Sequence, residues 1–346
     1  MEAISHNKPA LVREIIFVDN ASHEMKLSEK EATILAAAEF RADAPIGLIR
    51  KESGYQEHVV RHALRRLRER SVITPVPFIN LHRLGYTIYS VFFSSAGEGR
   101  SAKQNAIKSL IAAPDTLWVG EFGGEYQYGV AFCARRLPSL LEFLRNLSRQ
   151  HQQLFFEKAI SIQISSTIFP RKYLTRKKIS SQPITVTFGK ETIEIDELDK
   201  RVLSALTTFS DLSHRQIALK LQVPLSTLEL RIKKLRDSEV IAGDIFFVNT
   251  TAFDRQSFKL LVYTKGFDPQ ITERMHKFCA QHQDIVYLIE CFGTWSFEVG
   301  VEVTKAEDVS AIMQEIYEHF GISINTIKLL TKFRYPKVRW FPDLKG

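Results

Sequence analysis

The sequence predicts an α+β protein of two repeats, each a winged/helix-turn-helix three-helix domain followed by a ferredoxin-like βαββαβ domain. Three observations carry that class. The chain matches itself without gaps at an offset of 168 residues, placing Leu35 on Leu203, Ile49 on Ile217 and Leu67 on Leu235. A one-residue insertion then moves the offset to 169, so that Asn80 falls on Asn249, Glu121 on Glu290 and Gly124 on Gly293. Within each copy, roughly fifty residues with apolar positions three and four apart give way to alternating segments, a change from helical to strand periodicity.

Residues 1–26 form an N-terminal extension with a strand expected in REIIFVD, from Arg13. Helix-turn-helix domain 1 spans 27–78. In the α+β domain at 79–175, YTIYSVFFSS reads as a strand and SAKQNAIKSLIAAP as a helix. TLWVGEFGGEYQYGVAFCA then reads as two strands around a glycine turn, and LPSLLEFLRNLSRQH as a second helix before a last strand. The linker at 176–194 has a strand expected in PITVTFG. Both β-prone runs are candidates to clasp the copies together, and the basic stretch RKYLTRKK reads as a flexible solvated tether. Domains 195–247 and 248–346 repeat the order through FKLLVYTKG, PQITERMHKFCAQHQ, DIVYLIECFGTWSFEVGVEV and AEDVSAIMQEIYEHF.

Composition bounds the function classes. The 346 residues are 45% hydrophobic, with 47 Lys+Arg against 39 Asp+Glu and a net charge of +8. That excess suits a polyanionic partner. Three widely spaced cysteines suggest neither a disulfide framework nor a zinc site, so a reducing cytoplasm is expected. No window is apolar enough to span a membrane. Walker, G-x-S-x-G and H-E-x-x-H motifs are absent, and no cofactor or metal is expected.

The chemistry concentrates on the third helix of each head. In LSTLELRIKKLRD, Leu228, Ile232 and Leu235 form a buried stripe, and Ser226 is placed to cap the helix. The opposite face carries Ser226, Leu230 and Lys233, with Thr227, Arg231, Lys234 and Arg236 beside it. In copy one, Val60, Leu64 and Leu67 are the stripe, and His58, His62 and Arg65 face outward, flanked by Arg61, Arg66 and Arg68. Such a face suits a DNA major groove, where cations neutralise phosphates and short polar groups or arginine read base edges. His58 and His62 have zinc-binding spacing without a third ligand, and read as surface histidines on that face.

These residues resemble, in duplicate, the Lrp/AsnC (feast/famine) family of transcription regulators. Asp196 and Asp199 match the family's opening Asp-x-x-Asp, and RIKKL from Arg231 matches the end of its recognition helix; copy one has Ser28, Glu31 and Ala63 at the corresponding places. The resemblance implies DNA as partner, α+β domains of RAM type that self-associate within the chain and in homo-oligomers, and a small effector near a hairpin turn. The turn residues are Gly124, Tyr126 and Gln127, then Gly293, Trp295 and Ser296. Gln127 and Ser296 replace the family's aspartate, which removes the counter-charge for an ammonium group; Tyr126 and Trp295 read alternatively as packing residues. Sirohaem decarboxylases share the architecture, but Tyr126 stands where that resemblance places a histidine, and neither hairpin supplies a proton shuttle. A protein-interaction scaffold is the other alternative. A sequence-specific regulator with two non-identical heads is the expectation.

Overall fold

The computed structural model describes residues 26–95, 99–151, 155, 157–266 and 268–342, so the strand expected from Arg13 lies outside the described residues. Head 1 comprises α1 (Glu29–Ala38), α2 (Ile46–Ser53) and α3 (Glu57–Glu69); head 2 comprises α6 (Glu197–Thr208), α7 (His214–Leu221) and α8 (Leu225–Asp237). The first helix of each head opens with a reciprocal cap: Ser28 with Glu31, Asp196 with Asp199. The turns are left-handed at matching places, Gly54 and Gln222 before the third helix and Ser71 and Glu239 after it, although the residues differ. Ser226 does not cap α8. Pro224 holds that position without a side-chain bond, and Ser226 lies inside the first turn.

After head 1 come β1 (Ile73–Ile79), β2 (Thr87–Ser94), α4 (Arg100–Ala112), β3 (Thr116–Gly124), β4 (Tyr128–Ala134), α5 (Leu137–Gln150) and β5 (Glu157–Ile168), then β6 (Ile184–Thr187). Head 2 is followed by β7 (Ile241–Val248), β8 (Gln256–Thr264), α9 (Pro269–Gln281), β9 (Ile285–Gly293), β10 (Phe297–Val303), α10 (Asp308–Phe320) and β11 (Ile324–Val338). The same order of elements thus occurs in both halves.

Strand pairing runs β2-β4-β3-β11-β8-β10-β9-β5-β6, and β2 also pairs with β5. Eight antiparallel strands therefore close into a ring, with β6 attached outside it. Closure depends on the two longest strands. β5 pairs with β2 through Glu157–Ile162 and with β9 through Ser161–Ile168, while β11 leaves β8 for β3 at Leu330–Thr331. A bulge accompanies each transfer, between Gln163 and Ser165 and between Lys332 and Arg334.

The hairpin glycines sit on these seams. Gly124 has φ 118°, and a Cβ there would meet the Leu329 carbonyl oxygen at 2.5 Å; Gly293 has φ 147°, and its Cβ would meet that of Ile160 at 2.6 Å. Both glycines let the opposite half's strand approach. Gly293→Ala is expected to destabilise the fold by roughly 1–3 kcal/mol, the usual cost of overpacking a fixed backbone. A lowered urea midpoint would register it; an unchanged midpoint would refute the seam role.

The barrel interior is aromatic. Phe92 packs against Trp295, Phe122 and Trp118 at ring separations of 5.3, 5.6 and 5.9 Å. Among these rings lies a buried ion pair, Lys259 with Glu298. The helical heads are crossed over the barrel. Head 1 shares its core with Phe246, Val248 and Phe253 of the second half, and head 2 shares its own with Leu81, Leu84, Tyr86 and Leu117 of the first. The sequence pattern predicts no strand at β1 or β7. These two pair over Ile73–Ile79 and Ile241–Val248 as a ribbon joining the heads.

The basic linker is not a solvated tether. Arg171 and Tyr173 are held in a charge cluster, Thr175 bonds Thr33, and Lys177 donates to the Ser53 carbonyl and lies over the Tyr55 ring. Head 1 thus receives the linker as part of its own packing.

Candidate nucleic-acid interface and the hairpin clefts

Both third helices turn their apolar stripe inward. Val60 and Leu228 are each 0% exposed, with Leu64, Leu67, Ile232 and Leu235 buried beside them. The opposite faces are open: His58, Arg61, His62, Arg65 and Arg66 on α3, Ser226, Leu230 and Lys233 on α8, with Thr227 half-buried. Helix α3 carries four arginines against two glutamates, and α8 four cations against two acids, so each helix as a whole is net positive.

The cations differ in how tightly the chain holds them. Arg61 with Glu57, Arg65 with Glu69 and Lys233 with Asp237 are exposed pairs one turn apart. Such pairs are weak in water, and a phosphate can replace the carboxylate. Arg231 and Lys234 instead converge on Asp199, whose side chain is 0% exposed, and Arg231 also bonds Asp196. A hydrogen bond from Asp199 N–H and the Arg231 guanidinium hold the Asp196 carboxyl below its usual range. These two cations fasten α8 to α6. Arg236 bridges Asp43 of head 1 and Asp244 of β7, and Arg68 lies 5.2 Å over the Phe246 ring. Both therefore stand at the junction of the two heads.

Head 1 solves the same problem differently. Ala63 replaces the arginine, and Glu31 recruits Arg70 at 3.0 Å and Arg66 at 3.8 Å. Burial would raise the Glu31 carboxyl, but the Ser28 hydrogen bonds and these two arginines hold it below the usual range. A carboxylate on the first helix anchors the third in both heads, which is the physical meaning of the acidic residue at that position.

Of the hairpin residues expected to meet an effector, Gly293, Trp295 and Ser296 line a cleft, while the Tyr126 and Trp295 rings pack inward. These two aromatic residues are 4% and 1% exposed and belong to the barrel core. Burial, together with Tyr263 nearby, pushes the Tyr126 hydroxyl up to about 12. Gly124 and Gly293 serve the strand seams. Gln127 is exposed, its backbone tied to Phe93 and Phe122, and Ser296 bonds Thr264 at 2.6 Å. Beside the second hairpin, a cleft of about 650 Å³ contains a carboxylate that sequence reading missed: Glu290, which accepts from Thr272 at 3.0 Å and Ser165 at 3.2 Å. The family pattern places the acid at position 296; an acid one strand earlier carries no motif signal. The three cysteines are buried, and burial raises their thiols, so none is a poised nucleophile. No metal-binding cluster occurs among the described residues. None of the helices there is long and apolar enough to cross a membrane.

Fold and helix surface define a helix-turn-helix chain mounted on a paired α+β barrel. Residues 195–242, which contain α6, α7 and α8, match the winged helix-turn-helix DNA-binding family. An uncharacterized HTH-type transcriptional regulator of Pyrococcus furiosus is 29% identical over 132 residues, 38% of this chain and 86% of that protein. The siroheme decarboxylase NirDL superposes with a TM-score of 0.57 at 12% identity, over 89% of this chain and 92% of its own, and so shares the fold. An AsnC family transcriptional regulator from Agrobacterium tumefaciens is a further structural neighbour, with 16% identity, a TM-score of 0.35, and 40% and 92% of the two chains covered. The chain carries a helix-turn-helix DNA-binding domain, and Pyrococcus HTH-type transcriptional regulators are among its homologues.

Proposed function

We propose that this protein is a sequence-specific, DNA-binding transcriptional regulator whose single chain presents two non-identical helix-turn-helix heads. One observation carries the reading: α3 and α8 occupy the same place in two three-helix heads, each burying its apolar stripe and exposing a cationic face. The heads share a ribbon, and Arg236 ties α8 to head 1, so both are held by one rigid junction. An ordinary dimer presents two equal helices to a pseudo-palindrome. Here the faces differ, Arg65 and two histidines on one, Ser226, Thr227 and exposed Leu230 on the other, which suits an asymmetric site. Leu230 offers a contact for a thymine methyl, Arg65 a donor for guanine. The α+β domains supply the pairing within the chain that a dimer makes between chains, and duplication of an ancestral unit accounts for the recurring order.

The most available contacts are His58, Arg61, His62, Arg65, Ser226, Thr227 and Lys233; Arg66, Arg68 and Lys234 are exposed but also engaged within the chain, and Arg231 and Arg236 are the most fully held. Lys233→Ala is expected to weaken binding to all duplexes alike and to reduce the slope of log affinity against log salt by about one. Arg65→Ala is expected to cost about 1–3 kcal/mol on the preferred sequence and little on others. Fluorescence anisotropy on a selected duplex and a scrambled one, across a salt series, checks both. Unchanged affinity for both variants defeats the assignment. Tetrapyrrole decarboxylation, the other reading of this fold, would need a proton shuttle in reach of substrate; beside the second hairpin the carboxylate is Glu290, which is engaged by Thr272 and Ser165.

A further inference from the structure

Between one end of the barrel and head 1 lies a cavity of about 170 Å³. Phe40 follows α1, Phe169 follows β5, and Phe246, Tyr287, Tyr335 and Trp340 complete an aromatic wall drawn from both halves. Two donors on this wall are free to take an anion, one weakly held and one unpartnered among the described residues. Lys332 has one long bond, 3.4 Å to the Thr250 hydroxyl, and pairs with no carboxylate among the described residues. Its neighbour Glu302 is already engaged by Arg171 and Tyr173. The Trp340 indole nitrogen is buried and finds no acceptor among the described residues. Lys332 is half-buried, lies 5.0 Å over the Tyr335 ring and shares the Glu302 charge with Arg171. Native structures normally satisfy a buried group such as the Trp340 N–H.

We propose that this cavity binds a small aromatic carboxylate of benzoate size, its ring against the aromatic wall and its carboxylate on the Lys332 ammonium and the Trp340 N–H. The size fits, since apolar cavities of about 150 Å³ accept benzene. The position also suggests a consequence. Trp340 packs edge-on against Phe78 of β1 and Phe247 of β7, at 6.0 and 5.5 Å, so the ligand touches the ribbon joining the heads. Coupling to DNA rests on the function proposed above; binding does not.

Titration of the full chain with benzoate, read by calorimetry and tryptophan fluorescence, tests the site. Saturable one-to-one binding is expected, at least tenfold tighter than for neutral benzamide. Lys332→Met is expected to abolish that preference, and Trp340→Phe, which keeps a ring but removes the donor, to weaken benzoate severalfold. Burial first, with Arg171 assisting and Glu302 opposing, pushes the Lys332 ammonium down to about 8. Glu39, Lys259, Tyr287 and Tyr335 complete the titratable lining. Wild-type affinity should therefore fall as pH rises through that value, and the methionine variant should show no such fall. Absence of saturation up to about 10 mM, or equal benzoate affinity in wild type and a folded Lys332→Met, overturns the proposal. Benzoate binding with unchanged DNA affinity would retain the site and remove the coupling.

Discussion

Replacing Arg171 with methionine is expected to remove roughly 3–5 kcal/mol of folding stability at neutral pH, the usual consequence of stranding buried charge. Arg171 joins three parts of the molecule. Its Nε and Nη2 form two bonds to Glu302 of β10, at 2.8 and 2.9 Å, and its backbone N–H donates to Glu39 at the end of α1 at 3.0 Å, with a second guanidinium contact to the same carboxylate. Tyr173 adds its hydroxyl to Glu302, and the Arg255 guanidinium stacks 3.7 Å over the Tyr173 ring. Burial would raise the Glu302 carboxyl, but Arg171 and Tyr173 hold it below the usual range; at Glu39 burial wins and the carboxyl rises. Two carboxylates thus depend on one guanidinium.

The pH dependence has a definite sign. Glu302, depressed in the folded wild type, contributes stability above its unfolded pKa and loses it as pH falls through the folded value. Without Arg171, both carboxyls stay buried without their main cation, Lys332 alone acting on Glu302, and their folded pKa values rise. The variant then regains stability as acid protonates them. Urea unfolding of the two proteins should show a gap that is wide at pH 8 and narrower at pH 5. A gap independent of pH would show that Arg171 acts only by packing.

The second large effect is expected inside the barrel. Lys259 and Glu298 have side chains 4% and 0% exposed, and the lysine sits 5.0–5.3 Å from the rings of Trp118, Phe92 and Tyr287. Lys259→Met leaves Glu298 buried without its partner, and Glu298→Gln does the same to the lysine. Each is expected to cost roughly 3–5 kcal/mol. The double change Lys259→Met with Glu298→Leu removes both charges, and its loss should be well below the sum of the singles. A double-mutant cycle by urea unfolding measures the coupling; additive losses would show that the two groups do not depend on each other.

The same pair shows where the halves of the barrel diverge. At the 169-residue offset, Ser90 stands for Lys259 and Gly129 for Glu298, and Ser90 bonds Gln163 at 2.9 Å. Gly129 leaves room for Phe92, whose ring would lie 2.5 Å from a Cβ there. One half fills the interior with an aromatic ring and the other with an ion pair. Sequence alone showed a lysine in FKLLVY and a glutamate in FEVGV. That both face a closed interior is a property of the barrel, not of either strand.

Elements governed by local forces were readable from sequence. The helices follow from spacing at three and four, their starts from Ser28/Glu31 and Asp196/Asp199, and the hairpins from Gly124 and Gly293. Cations on α3 and α8 were visible too, but their availability was not. Arg231, Lys234, Arg236 and Arg68 look like Lys233 in the sequence, yet partners far along the chain occupy them. The inward packing of Tyr126 and Trp295 was not legible for a related reason: an aromatic beside a turn can face solvent or a barrel interior with the same local pattern.

By itself, then, the sequence determined the repeated order of helices and strands, the inward stripe of each third helix and its cationic opposite face, because these depend on periodicity within a dozen or so residues. Tertiary structure alone decided the rest: the ring closed by β5 and β11, the heads crossed onto opposite halves, the ribbon of β1 and β7, and the buried charges at Arg171 and Lys259. Each of these pairs groups more than thirty residues apart. Whether a charge is buried, and with which partner, is set by where distant segments meet.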